Sequence, residues 1–495
     1  MNVATIRNLI INGCGHLFNA LSIFVITPFI IDYLGKDGYG LWSLMVVVIG
    51  YVALLDLGIR ASVCRYIIRY SARSDYHGSR AVLRTGLAIY LVIGVAIVFF
   101  VQVVAEYFFE IFPVLQSGMV GSDVNIVLTL LSLGSLCALL TAVYNGLLQS
   151  KEAFWKIQLI SAGGVVLRFG LNLLSIERDL LYIGLSLSIC LTNFVNFVVT
   201  VLTAYKTARE SFSLIPRYYK RYFVEIIVYA SSCLVITVAI RIGNETDIVL
   251  IGMYLTAEDI TMYSLGAMLT LYGWNLIAQI GTTLIPKLHK YGATMEVEKF
   301  QDVMNTYTLL YLIFGGLLYS GIILFGRDFF DLWLGEGHDQ AYACAAILAA
   351  SRIALLFASA IGPAMSATNH MGLTTSITLL DSLVNFLLTW ACLAVFEMGV
   401  LAVAMATLIS RVVVFVGLHF YTAFCWLKEP FLVFSKKNLF VVVPMASFCL
   451  IFAYGVEAVS IEGWLMFFGV TTVFATAVLG SALALSKHMS LWKSV

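Results

Sequence analysis

Charge is what this chain has least of. Only 12% of its 495 residues are Asp, Glu, Lys or Arg, against 61% hydrophobic ones, and the mean hydropathy is +0.95. A soluble domain carries about a quarter charged residues, so a water-facing globule is excluded. The nine cysteines include no CxxC pair, which leaves neither a metal-site spacing nor a disulfide framework. No Gly-rich phosphate loop is present to hold a nucleotide. No loop is long enough to hold a soluble domain: the longest polar stretches are 205–221, 111–124 and 327–340. Cofactor chemistry, nucleic-acid binding and ATP hydrolysis within the chain are therefore not expected, and neither is enzyme activity.

What is present is a succession of apolar runs. A helix needs about 20 such residues to cross roughly 30 Å of hydrocarbon, and runs such as Ala88–Val104 and Phe440–Tyr454 are apolar on every face. Barrel strands would alternate instead. The spans are placed at 6–33, 40–68, 81–110, 125–148, 153–175, 181–204, 222–254, 259–286, 302–326, 341–365, 372–396, 400–426, 438–457 and 463–485. The first is too long, and too polar at His16 and Asn19, for a cleavable signal. With the N-terminus inside, 21 Lys and Arg fall on the cytoplasmic side, and only Lys36, Arg178 and Arg327 outside. Such a bias orients a membrane protein. The expectation is an all-α integral membrane protein of about 14 helices with both termini cytoplasmic.

Ile30–Tyr51 repeats in Ile251–Tyr272, with Ile30/Ile251, Tyr33/Tyr254, Leu34/Leu255, Ser43/Ser264, Leu44/Leu265 and Tyr51/Tyr272 identical. The shift carries spans 1–2 onto 7–8 and preserves their direction, which makes a parallel repeat of a kind known in secondary transporters. Two six-helix lobes around a central cavity follow: 1–204 and 222–426, joined by a basic linker, 205–221, and trailed by two appended helices in 427–495.

Charges inside the spans are few. An ionised side chain at the bilayer centre costs about 2.5–3.5 kcal/mol even on the lenient scale, and so tends to face a cavity. The cations are Arg60, Arg168, Arg241, Arg352 and Arg411; the anions are Asp56, Glu225, Glu245, Asp247 and Asp381. Asp56 and Arg60 stand one turn apart in span 2, as do Arg241 and Glu245 in span 7, so each pair could simply neutralise itself. Residues 241–247 (Arg-Ile-Gly-Asn-Glu-Thr-Asp) are polar enough to suggest a broken helix lining a cavity. A single long span over 222–254 is preferred to an end at Ile242, which would leave Ile248–Tyr254 too short to return. Arg168, Arg352 and Arg411 have no local acid in sequence, although Arg168 and Arg411 could snorkel to an interface. Guanidinium forks suit phosphate, so Arg60, Arg168, Arg241 and Arg352 are the expected substrate-binding residues. Asp56, Glu245, Asp247 and Asp381 are the expected ion-coupling acids. His16 and His419 offer no metal spacing and read as packed polar residues.

Five segments resemble the polysaccharide or O-antigen flippases of the multidrug/oligosaccharidyl-lipid/polysaccharide exporter superfamily. They are Thr27–Trp42 (TPFIIDYLGKDGYGLW), Leu55-Asp56-Leu57-Gly58 with Arg65 beyond it, Tyr144–Gln149 (YNGLLQ), Asp247–Gly252 (DIVLIG) followed by Tyr263, and Leu332-Trp333-Leu334-Gly335. They occur in the family's order over most of the chain. The resemblance implies a two-lobed exporter in the bacterial cytoplasmic (inner) membrane. It would turn undecaprenyl-pyrophosphate-linked oligosaccharides to the outer leaflet, alongside a polysaccharide polymerase and a chain-length regulator. The competing readings are a cation-coupled multidrug extruder of the same superfamily, which would confer resistance to cationic dyes, and a membrane polymerase, which would need a long outer loop. Cysteines placed at Lys36, Gly121 and Gly337 should label from outside. Those at Ser79, Ser213 and Lys436 should label only from inside, and an outside-reactive position 213 would overturn the topology.

Overall fold

In a computed structural model, residues 3–52, 58–115, 121–426, 452 and 463–488 are described. Their regular structure is helical. Nine of the described helices are long and apolar enough to cross a membrane, among them 17–51, 76–106, 154–177 and 297–334. They coincide with the expected spans to within a few residues at most ends. Span 438–457 and Lys436 lie outside the described residues.

The helices end where the backbone is forced to turn. α1 (Val3–Val52) is bent at Gly35, whose φ of 73° is left-handed, a conformation glycine adopts without steric cost. At the equivalent place in the repeat, α8 (Lys220–Tyr254) stops at Leu255, which is extended with φ −121°. α9 (Ala257–Ala278) then starts from a reciprocal cap. Asp259 Oδ2 accepts from the Thr256 hydroxyl at 2.7 Å, while Thr256 Oγ1 accepts from the Asp259 N–H at 3.2 Å. The two repeats thus break at matching positions by different local devices.

The expected single span 40–68 is divided. α2 (Ile59–Ala72) begins at Gly58, which is left-handed with φ 72°. Asp56 lies outside the described residues, so the expected one-turn pairing of Asp56 with Arg60 falls partly outside them. α3 (Tyr76–Glu106) is capped by Asp75, whose carboxylate accepts from the Gly78 N–H at 2.8 Å. Ser79 and Ser213 are buried, whereas His77 and Leu214 on the same segments are exposed, so these neighbours are the better labelling positions.

Met1–Ile260 and Thr261–Val495 form two compact units. In the first, α5 (Gly121–Ser150) packs on α2, α3 and α7 (Leu181–Thr207), and α6 (Phe154–Glu177) packs on α7 and α1. α8, which opens the second repeat in sequence, packs on α1, α2 and α3. Close approach is made by small residues, as membrane helices require: a Cβ on Gly146 of α5 would sit 3.1 Å from the Cys64 Cα of α2. The segment after α7 is tied down by Arg84 Nε, which donates to Ser213 Oγ at 2.8 Å, and by Tyr144, which donates to the Ser213 carbonyl at 3.1 Å.

In the second unit, α11 (Val297–Leu334) packs on α12 (Asp339–Ala358) and on the C-terminal helix, α17 (Trp464–His488), through Phe325, Phe467 and Phe474. α14 (Met371–Ala394) lies against α15 (Val400–Ser410). α15 runs through a π-helical segment, Arg411–Val416, into α16 (Gly417–Trp426). Asp381 on α14 is fully buried and receives Arg411 Nη1 at 2.5 Å and Ser410 Oγ at 2.7 Å. Arg411, with no local acid in sequence, therefore finds its acid partner 30 residues away. Removing one member of a buried pair leaves an uncompensated charge, at a cost of about 3–5 kcal/mol. Asp381→Leu and Arg411→Leu should each lower stability by that order in detergent unfolding, and the double variant by much less. Additive losses would show that the pair does not act as a unit.

Candidate functional site

Each of the two units carries its own polar clusters. In the first, residues 241–247 are helical throughout, which corrects the expectation of a broken segment. The physical reason is local: Arg241 and Glu245 form an ion pair across one helical turn, so the charges neutralise each other without unwinding the backbone. The expectation of one long span is met. Gly50 of α1 lies beside the pair, where an added Cβ would be 3.0 Å from Glu245 Oε2. Tyr51 is hydrogen-bonded to the Thr246 hydroxyl. Glu245 Oε2 is buried with no hydrogen-bond partner among the described residues, and Asp247 is 2% exposed. The polarity of this stretch thus faces α1, at the residues the repeat singled out.

Nearer the basic end of the same unit, α2 and α8 make an arginine–tyrosine face. Ser62 donates to the Ile226 carbonyl at 2.8 Å and sets the two helices together. The Arg65 guanidinium lies 4.2 Å over the Tyr229 ring, and Arg69 lies 5.9 Å from the Tyr66 ring. Tyr70 donates to Glu225 at 2.9 Å and meets Tyr222 edge-on at 5.6 Å, while Arg221 approaches Glu225 at 3.5 Å. Arg60, Arg65 and Arg69 are exposed. In sequence, Arg69 serves only to orient the chain, and Arg65 serves that and the resemblance motif. The Arg65-Tyr66…Arg69-Tyr70 spacing, which repeats cation and aromatic one turn apart, was the available signal. Guanidinium over an aromatic face is a stable arrangement that still leaves N–H donors for an anion.

Arg168 sits on α6, and its residue is exposed. α6 packs on α7, α1 and α5.

In the second unit, Arg352 of α12 lies 5.5 Å over the Trp274 ring of α9. Trp274 meets Tyr311 edge-on at 6.2 Å, and Tyr311 stacks on Tyr307 at 4.5 Å with the hydroxyls 3.0 Å apart. Arg411, Asp381, Tyr319 and Tyr263 all act electrostatically on Arg352. Arg352 and Asp381 therefore belong to one neighbourhood, but both carboxylate oxygens of Asp381 are already engaged. His419 is packed as expected, with its ring on Phe415 and Nδ1 2.8 Å from the Phe415 carbonyl.

A succession of helices this long and apolar defines a multi-pass membrane protein. The solved structures it resembles share that architecture. A lipid II flippase, MurJ, in an inward closed conformation superposes with a TM-score of 0.75 at 13% identity, over 98% of this chain and all of that one. An inward-facing multidrug resistance transporter of the MATE family gives a TM-score of 0.67 at 15% identity, over 85% of this chain and 94% of that one. The chain thus shares the fold of those two transporters. It belongs to the polysaccharide biosynthesis protein family, whose profile matches residues 5–292. A candidate O-antigen transporter of Shigella flexneri is 21% identical over 348 residues, covering 68% of this chain and 78% of that protein. The lipid II flippase MurJ of Bacillus subtilis is 22% identical over 338 residues, 62% of either chain.

Proposed function

We propose that this protein is a flippase that moves lipid-linked oligosaccharide, carried on undecaprenyl pyrophosphate, from the cytoplasmic to the outer leaflet of a bacterial inner membrane. The observation that carries the reading is the set of arginines held against aromatic rings: Arg65 and Arg69 in the first unit and Arg352 in the second. Guanidinium groups recognise pyrophosphate oxygens through paired N–H donors, and aromatic faces stack on the apolar faces of sugar rings. Membership of a polysaccharide biosynthesis family and similarity to a candidate O-antigen transporter support the same substrate class. A multidrug extruder shares the fold but would present acids to its cationic cargo.

On this reading, the lobes 1–204 and 222–426 alternate access by rocking, with 205–221 as linker and 427–495 as appended helices. Both termini lie in the cytoplasm. Arg60, Arg241 and Arg352 bind substrate, and Arg168 meets it or the lipid around it. The product passes to a polysaccharide polymerase and a chain-length regulator. Arg352→Ala and Arg241→Ala should abolish surface polysaccharide in a deletion strain while the protein inserts at normal abundance. Lys at either position should restore export only in part, because a point charge lacks the fork. Full export by both alanine variants would overturn the anionic-substrate reading.

Coupling to an ion gradient needs an acid able to change partners. Glu245 is the first choice, with one oxygen on Arg241 and the other buried without a hydrogen-bond partner among the described residues. Asp247 beside it is second. Asp381, held by both Arg411 and Ser410, is a weaker candidate, and Asp56 remains one by sequence. In reconstituted vesicles, Glu245→Gln and Asp247→Asn should uncouple flipping from an imposed proton or sodium gradient. Wild-type flipping that ignores both gradients, and persists in both variants, would show that product consumption drives the flux instead.

A further inference from the structure

Along the outside of the first unit, α6 and α7 leave a groove of about 530 Å³. Its walls are apolar, with Leu159, Leu167, Val195 and Val199 among them, and its floor is Gly163 and Gly164. An added Cβ on Gly163 would meet nothing within 4 Å, whereas one on Gly164 would run into the Asn196 side chain. Gly163 is therefore missing a side chain over open space. The groove ends at Trp155 and Lys156, on the side of the protein that carries Lys151, Lys206 and Arg209. Lys156 Nζ donates to the Thr207 hydroxyl at 2.9 Å. An ammonium has three donors, so two remain for another acceptor.

We infer that this groove binds one anionic phospholipid of the leaflet at the basic end, its phosphate on Lys156 and one acyl chain lying along Gly163. Two magnitudes favour that occupant. From Trp155 to Leu167 the helix rises about 18 Å, at about 1.5 Å per residue. One leaflet contributes about 15 Å of the roughly 30 Å hydrocarbon core. The groove is thus the length of a single leaflet's chain and too short for a 55-carbon polyprenyl tail. The head end is also right: Trp at the interface beside Lys is the usual anchor for a headgroup, and basic residues there attract anionic lipids. The inference stands apart from the flippase reading, since it concerns a lipid held against the outside of one unit rather than the cargo.

The test uses the full-length protein in mild detergent, with native mass spectrometry and thermal melting as readouts. Dioleoyl-phosphatidylglycerol should be retained at one copy and raise the melting temperature, and dioleoyl-phosphatidylcholine should do neither. Gly163→Leu should abolish the retained copy by filling the groove, and leucine favours the helix over glycine. Lys156→Gln should bring phosphatidylglycerol down to the level of phosphatidylcholine. Should either variant fold poorly, brominated phosphatidylglycerol should quench fluorescence in the wild type and spare a Trp155→Phe variant. Equal retention of both lipids would mean ordinary solvation by the bilayer and would overturn the inference. So would displacement of phosphatidylglycerol by undecaprenyl phosphate, which would assign the groove to cargo. Unchanged retention in Gly163→Leu, or no quenching of Trp155, would overturn it equally.

Discussion

Hydrocarbon offers no partner to an N–H group, a carbonyl or a charge, and this structure is arranged around that poverty. Every backbone group at membrane depth must be satisfied within the protein, so the chain is helix after helix. Every ionised side chain must find its counterpart inside. Arg241 finds Glu245 one turn away and Arg411 finds Asp381 on a neighbouring helix. Arg65, Arg69 and Arg352 lie over aromatic rings. The two solutions differ in what they leave available. A carboxylate consumes the guanidinium donors aimed at it, while a ring engages the flat face and leaves the edge free. The aromatic clusters thus keep the most donors for an incoming anion, while an ion pair such as Arg241–Glu245 can receive one through a change of partner.

Much of the fold was legible because hydropathy is an additive property read along the chain. The spans 81–110, 153–175, 181–204 and 372–396 needed only a count of apolar residues, and the chain turns where glycine or a capping pair permits it. Gly35 and Thr256–Asp259 sit where the repeat predicts a turn. The division of span 40–68 was not legible in this way. Asp56 and Arg60 mark the place as polar, but a left-handed glycine has no hydropathy of its own. The resemblance motif Leu55-Asp56-Leu57-Gly58 marked the place without revealing its geometry. Likewise Gly146, within another resemblance motif, packs against Cys64, six residues beyond Gly58, and so holds α5 to α2.

The candidate site was harder to read, because partners brought together by packing leave no trace in spacing. Arg241 and Glu245 are four residues apart, and their pairing could be seen in advance. The inference from their polarity to an unwound helix was too strong, since a neutralised pair has no need of it. Arg411 and Asp381 are 30 residues apart, so only the packing of α15 on α14 reveals them. Arg65 and Arg69 were visible but counted as topology markers, because a charge near a span end looks the same whether it faces bulk water or a binding surface.

The buried bond between Asp381 and Arg411 also constrains how this lineage can change. A gene loses such an arrangement one codon at a time, and either first step strands a charge in a dry interior. The second step, which would make the exchange harmless, is reached only through that disadvantage. Chains descended from a common ancestor should therefore carry both residues or neither, and intermediates with one should be rare. Ser410, which donates to the same carboxylate as a neutral group, is under no such tether. Its replacement removes one hydrogen bond of about 1 kcal/mol, so this position is free to drift while its two charged neighbours move only together.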